Sequence, residues 1–239
     1  MPKFFHLGGL GLLFLAMTSA ASAGDIVLQS TPQRVGLLEL YTSEGCSSCP
    51  PAEAWLSKLK DDPGLWKNFV PVAFHVTYWD NLGWPDRYAA QEYTDRQFAF
   101  SAAAHSSTVY TPEFFLNGQE WQRGAPLAAS KVPAGILRAT VDAKRNLTLA
   151  YAPAAAGKKW EAHVALLGCD LDTSVHAGEN SGQTLHHDFI VLSLQTVKLG
   201  EKETTLALAA PRPGEKALAV WVAEANQLEP AQAIGGWLK

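Results

Sequence analysis

Cys46 and Cys49 stand as C-S-S-C directly after an apolar strand pattern and directly before a segment of helical character. A bond between them closes a loop so short that loop entropy returns only about 1.9 kcal/mol, against ~3 for a fifteen-residue loop. Stability is therefore a weak reason to join them. At a helix N-terminus, however, the first thiol meets the positive end of the helix dipole and free backbone N–H groups, which favour the thiolate that attacks disulfides. Pro50 and Pro51 follow at once and bring no N–H, and Glu44 opposes ionisation of Cys46, while the Ser47 and Ser48 hydroxyls can donate instead. A partial lowering of the Cys46 pKa is the expectation. Exchange also requires that both sulfurs be accessible.

The elements that must hold this pair follow from periodicity. Residues 35–41 form an apolar strand pattern, 50–59 read as a helix opened by proline, 70–76 as a buried strand and 93–104 as a second helix. Residues 113–116 read as a strand, Asn117-Gly118 as a hairpin turn into 120–122, and 127–141 as a helix that Pro133 starts or kinks. From about Asn146 the texture changes. Residues 147–151, 160–167, 189–194, 205–209 and 217–222 are strand candidates parted by Gly, Pro, Asp and Asn. Trp160, Ala162, Val164 and Leu166 share one face at the two-residue period of a sheet.

The 239 residues carry 47% hydrophobic and 18% charged side chains, which excludes disordered and coiled-coil classes. A formal net charge of -4 disfavours nucleic acid and anionic membrane as partners. Lys3, the apolar run over residues 7–17 and the small-residue site Ala21-Ser22-Ala23 have the layout of a secretory signal peptide. That run is about half the ~20 residues of a spanning helix. Export to the periplasm or beyond, cleavage after Ala23 and no stable membrane span afterwards are the expectations, and in such a compartment disulfides persist.

The element order together with C-x-x-C resembles the thioredoxin fold, and Thr111-Pro112 stands where that fold has its cis-proline loop. More narrowly, the run from Glu39 to Ala52, the stretch from His75 to Trp84, Val109-Tyr110-Thr111-Pro112 and Gly178-Glu179-Asn180-Ser181-Gly182 are similar to landmarks of an exported bacterial family labelled domain of unknown function 1223. The resemblance implies an α/β thioredoxin-like domain, placed over residues 24–145 after a signal peptide over 1–23, and the strand periodicity adds an all-β, sandwich-like domain over 146–239. It also implies that Pro112 lies against the cysteines and shapes a docking edge for a substrate peptide. Glu39, on the strand leading to the pair, would be a general base for Cys49, with a salt-bridged glutamate as the alternative. Ser-Ser replaces the Gly-Pro that thioredoxin has between its cysteines, and residues 78–87 form a longer connection than a minimal thioredoxin needs.

The functional expectation is a thiol–disulfide oxidoreductase in which Cys46 attacks, Cys49 resolves, and Pro112 and Glu39 assist, with no cofactor and no metal. Its partners would be a protein or small-molecule disulfide or thiol and a redox partner in the cell envelope. The alternative is a non-catalytic envelope binding module that holds copper or another metal through the cysteine pair, with His75 or His105 as a further ligand. His75, Tyr78, Trp79, Asp80 and Trp84 form either a wall beside the cysteines or a structural cluster seating the long connection. His176, His186, His187 and Asp188 form a second polar group. On a regular strand His186 and His187 point to opposite faces and cannot share an ion. Cys169 is either a buried bystander or a resolving thiol.

Overall fold

The computed structural model describes residues 24–106 and 108–238; the signal-peptide expectation for residues 1–23 lies outside them. In chain order the elements are strands β1 (Ile26–Gln29) and β2 (Gly36–Thr42), helix α1 (Pro50–Ser57), strand β3 (Phe69–His75), helix α2 (Gln91–Ala103), and strands β4 (Glu113–Leu116), β5 (Gln119–Glu120) and β6 (Gly135–Val141). Eight more strands follow: β7 (Asn146–Pro153), β8 (Trp160–Gly168), β9 (Leu171–Ser174), β10 (Thr184–His187), β11 (Ile190–Lys198), β12 (Thr204–Ala207), β13 (Glu215–Glu224) and β14 (Pro230–Trp237). Short 3-10 turns at Lys58–Asp61 and Thr77–Leu82 extend α1 and open the connection from β3 to α2.

An eight-stranded sheet in the order β14-β13-β8-β11-β3-β2-β4-β5 runs through the molecule, with a four-stranded sheet β1-β6-β7-β12 and a two-stranded ribbon β10-β9 beside it. β2 and β3 are parallel, and every residue of both is buried, as expected of interior strands covered on two faces. β4 adds to β2 in antiparallel register. The sheet is then continued by the later part of the chain: β11 lies parallel to β3 at Ile190 and Ala73, and the Ala73 N–H donates to the Phe189 carbonyl at 2.8 Å.

Alternation along the strands builds two cores. Ala162, Val164 and Leu166 of β8 with Leu218, Val220 and Val222 of β13 meet Leu137, Ala139, Leu147 and Leu149 of the four-stranded sheet. The intervening Ala165, Leu167, Ala217, Ala219 and Trp221 belong to the other core, with Ala52 and Leu56 of α1 and Tyr93 and Phe100 of α2. Each fully buried leucine in these layers contributes roughly 1.5–3 kcal/mol over an exposed one. Pro50 and Pro51 occupy the first helical positions of α1, where missing N–H groups cost nothing. α2 buries Tyr93, Thr94, Gln97, Phe100 and Ser101, a stripe at helical spacing.

The expected architecture, an α/β thioredoxin-like domain followed by an all-β one, is not what the chain forms. Strand accounts for 42% of the structure and helix for 14%, and no clear α/β thioredoxin-like domain is present among the described residues. The element order misleads because it omits the long-range pairing of β11 with β3, which merges segments from both parts of the chain into one sheet. Residues 127–141 are also not a helix. The chain is irregular to residue 134 and then forms β6, with Leu137, Ala139 and Val141 buried and paired to β1 and β7. Pro133 cannot donate within a helix, and the two-residue alternation after it is a strand signal.

Candidate functional site

Strand β2 delivers the chain to a tight loop, closed by the Cys46 N–H to the Ser43 carbonyl at 3.2 Å and the Cys49 N–H to the Cys46 carbonyl at 3.2 Å. Gly45 permits this path beside Trp79, since a Cβ there would sit 3.1 Å from the tryptophan Cβ. Cys46 and Cys49 are disulfide-bonded with Cα atoms 5.4 Å apart, and Cys49 caps α1. Contrary to the accessibility that exchange needs, both cysteines are 0% exposed, while Ser47 and Ser48 between them face solvent.

Two segments produce that seal. The Thr111-Pro112 peptide is cis, and the Thr111 carbonyl oxygen lies 3.8 Å from Cys46 Sγ and accepts from Ser48 Oγ at 3.4 Å. Trp79 Nε1 donates to Thr111 Oγ1 at 2.8 Å, which ties the connection after β3 to the same place. From the far side comes the loop joining β9 to β10. The buried Asn180 donates through Nδ2 to the carbonyls of Glu44 and Cys46 at 2.9 and 3.0 Å, and Glu179 accepts from the Ser47 N–H at 3.0 Å. Pro112 is half-buried and lines a shallow cavity of ≈ 270 Å³ with Ala52, Tyr110, Phe114 and Trp121.

Glu39 is not brought to Cys49. Three residues before Thr42 on a regular strand, it faces the opposite side of the sheet from Thr42 and α1. There Arg96 grips it with two hydrogen bonds of 2.7 and 3.0 Å, and Tyr41 donates to it at 3.0 Å. Burial opposes the charge on Arg96, but Glu39 outweighs it and raises the arginine pKa further. Glu53, one turn into α1 and absent from the sequence candidates, carries a carboxylate on the α1 side of the sheet, where it bonds to Thr42 and His187; its position four residues after Cys49 was the available signal.

Glu53 belongs to a buried polar network with Glu44, His75, Asp86 and His187. Thr42 Oγ1 donates to Glu53 at 2.6 Å, and the other Glu53 oxygen meets His187 Nδ1. His187 Nε2 lies 3.4 Å from Glu44, whose second oxygen accepts from Trp84 Nε1 at 2.7 Å. His75 Nδ1 meets Asp86 at 2.6 Å, and Asp86 also accepts from the N–H groups of Glu44 and Tyr88. The two imidazoles contact edge to face, their centroids 5.3 Å apart. Burial alone would push His187 down, but Glu44 and Glu53 together raise it to about 10. For His75 burial likewise lowers and Asp86 more than offsets it, so its pKa is raised.

The remaining sequence candidates lie elsewhere. His186 and His187 do take opposite faces, the first exposed beside Asp172 at 2.8 Å, the second fully buried. Asp188 receives Lys60 at 2.9 Å. His105 sits exposed just past α2, and His176 packs edge-on to Trp84. Tyr78, Trp79, Asp80 and Trp84 bond to Gln97, Thr111, the Asp86 N–H and Glu44 respectively, which seats the connection rather than opening a groove. Cys169 is buried and outside any disulfide, its sulfur accepts from the Phe189 N–H at 3.5 Å, and burial pushes its thiol up to about 11.

A family model described as "Protein of unknown function (DUF1223)" matches residues 37–223. Among solved structures, protein AGR_C_4864 from Agrobacterium tumefaciens is similar with a TM-score of 0.60 at 25% identity, over 87% of this chain and 96% of that one. HBP35 of Porphyromonas gingivalis is similar in fold alone, with a TM-score of 0.54 at 12% identity over 87% and 76% of the two chains. No curated protein matches.

Proposed function

We propose, on the premise that the chain belongs to the family described as Protein of unknown function (DUF1223), that it is an exported thiol–disulfide exchange protein centred on Cys46 and Cys49. The observation that carries this reading is the placement of the bonded pair at the start of α1, with the Thr111 carbonyl against Cys46 and two exposed serines between the cysteines. In the reduced protein the Cys46 thiolate attacks one sulfur of a substrate disulfide, forms a mixed disulfide and expels the other substrate sulfur as a thiolate. The Cys49 thiolate then attacks Cys46 Sγ, releasing the second substrate thiolate and restoring the Cys46–Cys49 bond. Two electrons pass from the pair to the substrate, and the two protons shed by the cysteines go to the departing thiolates. The cavity beside Pro112 is the docking edge in this reading. Export rests on Lys3, the apolar run over residues 7–17 and the Ala21-Ser22-Ala23 site.

The burial of both sulfurs supports a second reading, in which the bond is a fixed staple holding the loop under Asn180. Reduction of the folded chain separates the two. The protein is equilibrated with dithiothreitol in native buffer, alkylated, and counted by mass. Uptake of two alkyl groups at Cys46 and Cys49 without unfolding, with capture of a small aromatic disulfide by Cys49→Ser, supports exchange. Modification that begins only at the unfolding transition overturns it in favour of the staple.

A further inference from the structure

Beneath the disulfide loop, Glu53, His75 and His187 each offer one ligand atom, and these atoms all lie within 4.8 Å of one another. All three side chains are buried, His75 and His187 fully. We propose that these three residues bind one divalent transition-metal ion, of the zinc or cobalt class, independently of the cysteines.

His75 gives the first reason. Its Nε2 is buried and has no hydrogen-bond partner, while its Nδ1 is engaged by Asp86. A buried ring nitrogen left unpaired is costly, and a cation bound there would satisfy it. The arrangement around it gives the second. A metal-ligating imidazole characteristically donates its other N–H to a carboxylate. Asp86 is placed to do this for His75, and is itself fixed by the N–H groups of Glu44 and Tyr88. His187 is arranged differently, with Nδ1 hydrogen-bonded to Glu53, a contact the ion would replace, and Nε2 facing Glu44 at 3.4 Å. Each histidine thus has its own outer carboxylate.

Charge does not oppose the ion. Glu44, Glu53 and Asp86 bring three carboxylates into one buried volume, which is costly unless cations offset them. In the metal-free protein the two imidazolium rings offset them; a divalent ion that displaces one proton from each ring leaves the charge of the cluster unchanged. Two nitrogens and one oxygen suit zinc, cobalt, nickel or iron(II) rather than calcium or copper(I). Ligand atoms around a tetrahedral ion with bonds of about 2.1 Å stand about 3.4 Å apart, so the atoms farthest apart close by up to about 1.4 Å and the hydrogen-bonded Glu53–His187 pair opens to admit the ion. The sulfurs cannot take part while bonded to each other.

The test uses the tag-free, disulfide-intact chain, stripped with chelator and titrated with cobalt(II) and with zinc(II). One ion per chain, a raised unfolding temperature and a cobalt spectrum free of thiolate charge-transfer bands are expected. His75→Phe and His187→Phe should abolish stoichiometric binding. Asp86→Asn should weaken it by about 10–100-fold, and His186→Ala, on the exposed face of the same strand, should leave it intact. Absence of stoichiometric uptake by the wild type overturns the proposal, as does retention of the ion by a folded His75→Phe protein. A thiolate band in wild-type cobalt protein also overturns it, and needs no variant to fold. Failure of cysteine exchange leaves this site untouched, because the titration is done with the disulfide closed.

Discussion

Asn180 donates to the carbonyl oxygen of Cys46 at 3.0 Å across 134 residues of sequence, and the same Nδ2 donates to the Glu44 carbonyl at 2.9 Å. A residue between β9 and β10 therefore holds down the loop that contains the disulfide. Replacing it by alanine removes two buried hydrogen bonds worth about 1 kcal/mol each. Asn180→Ala is expected to speed reduction of the Cys46–Cys49 bond by dithiothreitol by about tenfold in the folded state. An unchanged rate would show that the shield lies with Trp79 and Thr111 instead.

The Glu39–Arg96 pair is predicted to be structural. Arg96→Met strands a buried carboxylate and should cost about 3–5 kcal/mol, whereas Arg96→Met with Glu39→Gln should recover much of the loss. Urea denaturation measures both. Glu39→Gln should leave the pH dependence of cysteine alkylation in the reduced protein where it was, and a displaced profile would restore Glu39 to the chemistry.

His163 gives the fold an acid limit. It stacks on Trp221 with centroids 5.2 Å apart, and burial, then the Arg96 charge, push its pKa down to about 4. A histidine held neutral in the fold, yet free to protonate once unfolded, contributes stability that is complete above about pH 6.5 and drains away as pH falls towards 4. With its partial exposure discounted the effect is about 2 kcal/mol. His163→Gln should lose less stability than the wild type between pH 7 and 4.5, and equal losses would refute the assignment.

Gln232 joins the two sheets through its amide. Its Oε1 accepts from the Val35 N–H at 2.8 Å, and its Nε2 donates to the carbonyls of Thr31, Gln33 and Gly135. Gln232→Leu keeps the volume but orphans a buried N–H, and a loss of about 2–3 kcal/mol is expected from chemical denaturation. A loss under 1 kcal/mol would mean that water takes over these contacts.

Much of the local framework was legible in the sequence. C-S-S-C between a strand and a helix, the Asn117-Gly118 turn with both residues at positive φ, and the one-sided stripe of Ala162, Val164 and Leu166 each follow from short-range rules. The opposed faces of His186 and His187 follow from the pleat. What escaped depends on distant partners. Residues 127–141 read as one helix because the short strand alternation after Pro133 is decided only by pairing with β1 and β7, and the sealing of the sulfurs comes from Asn180 and Thr111 rather than from the loop itself. The histidine–carboxylate network joins Glu53, His75 and His187 from three elements, and no spacing in the chain announces it.

β3 owes one of its two hydrogen-bonded edges to a strand that begins at Ile190. A ribosome releases the amino end first, so that edge waits, open, while the rest of the protein is still being made. Nascent chains halted before residue 190 should therefore be sticky, and a helper that covers bare strands would find its work in that interval.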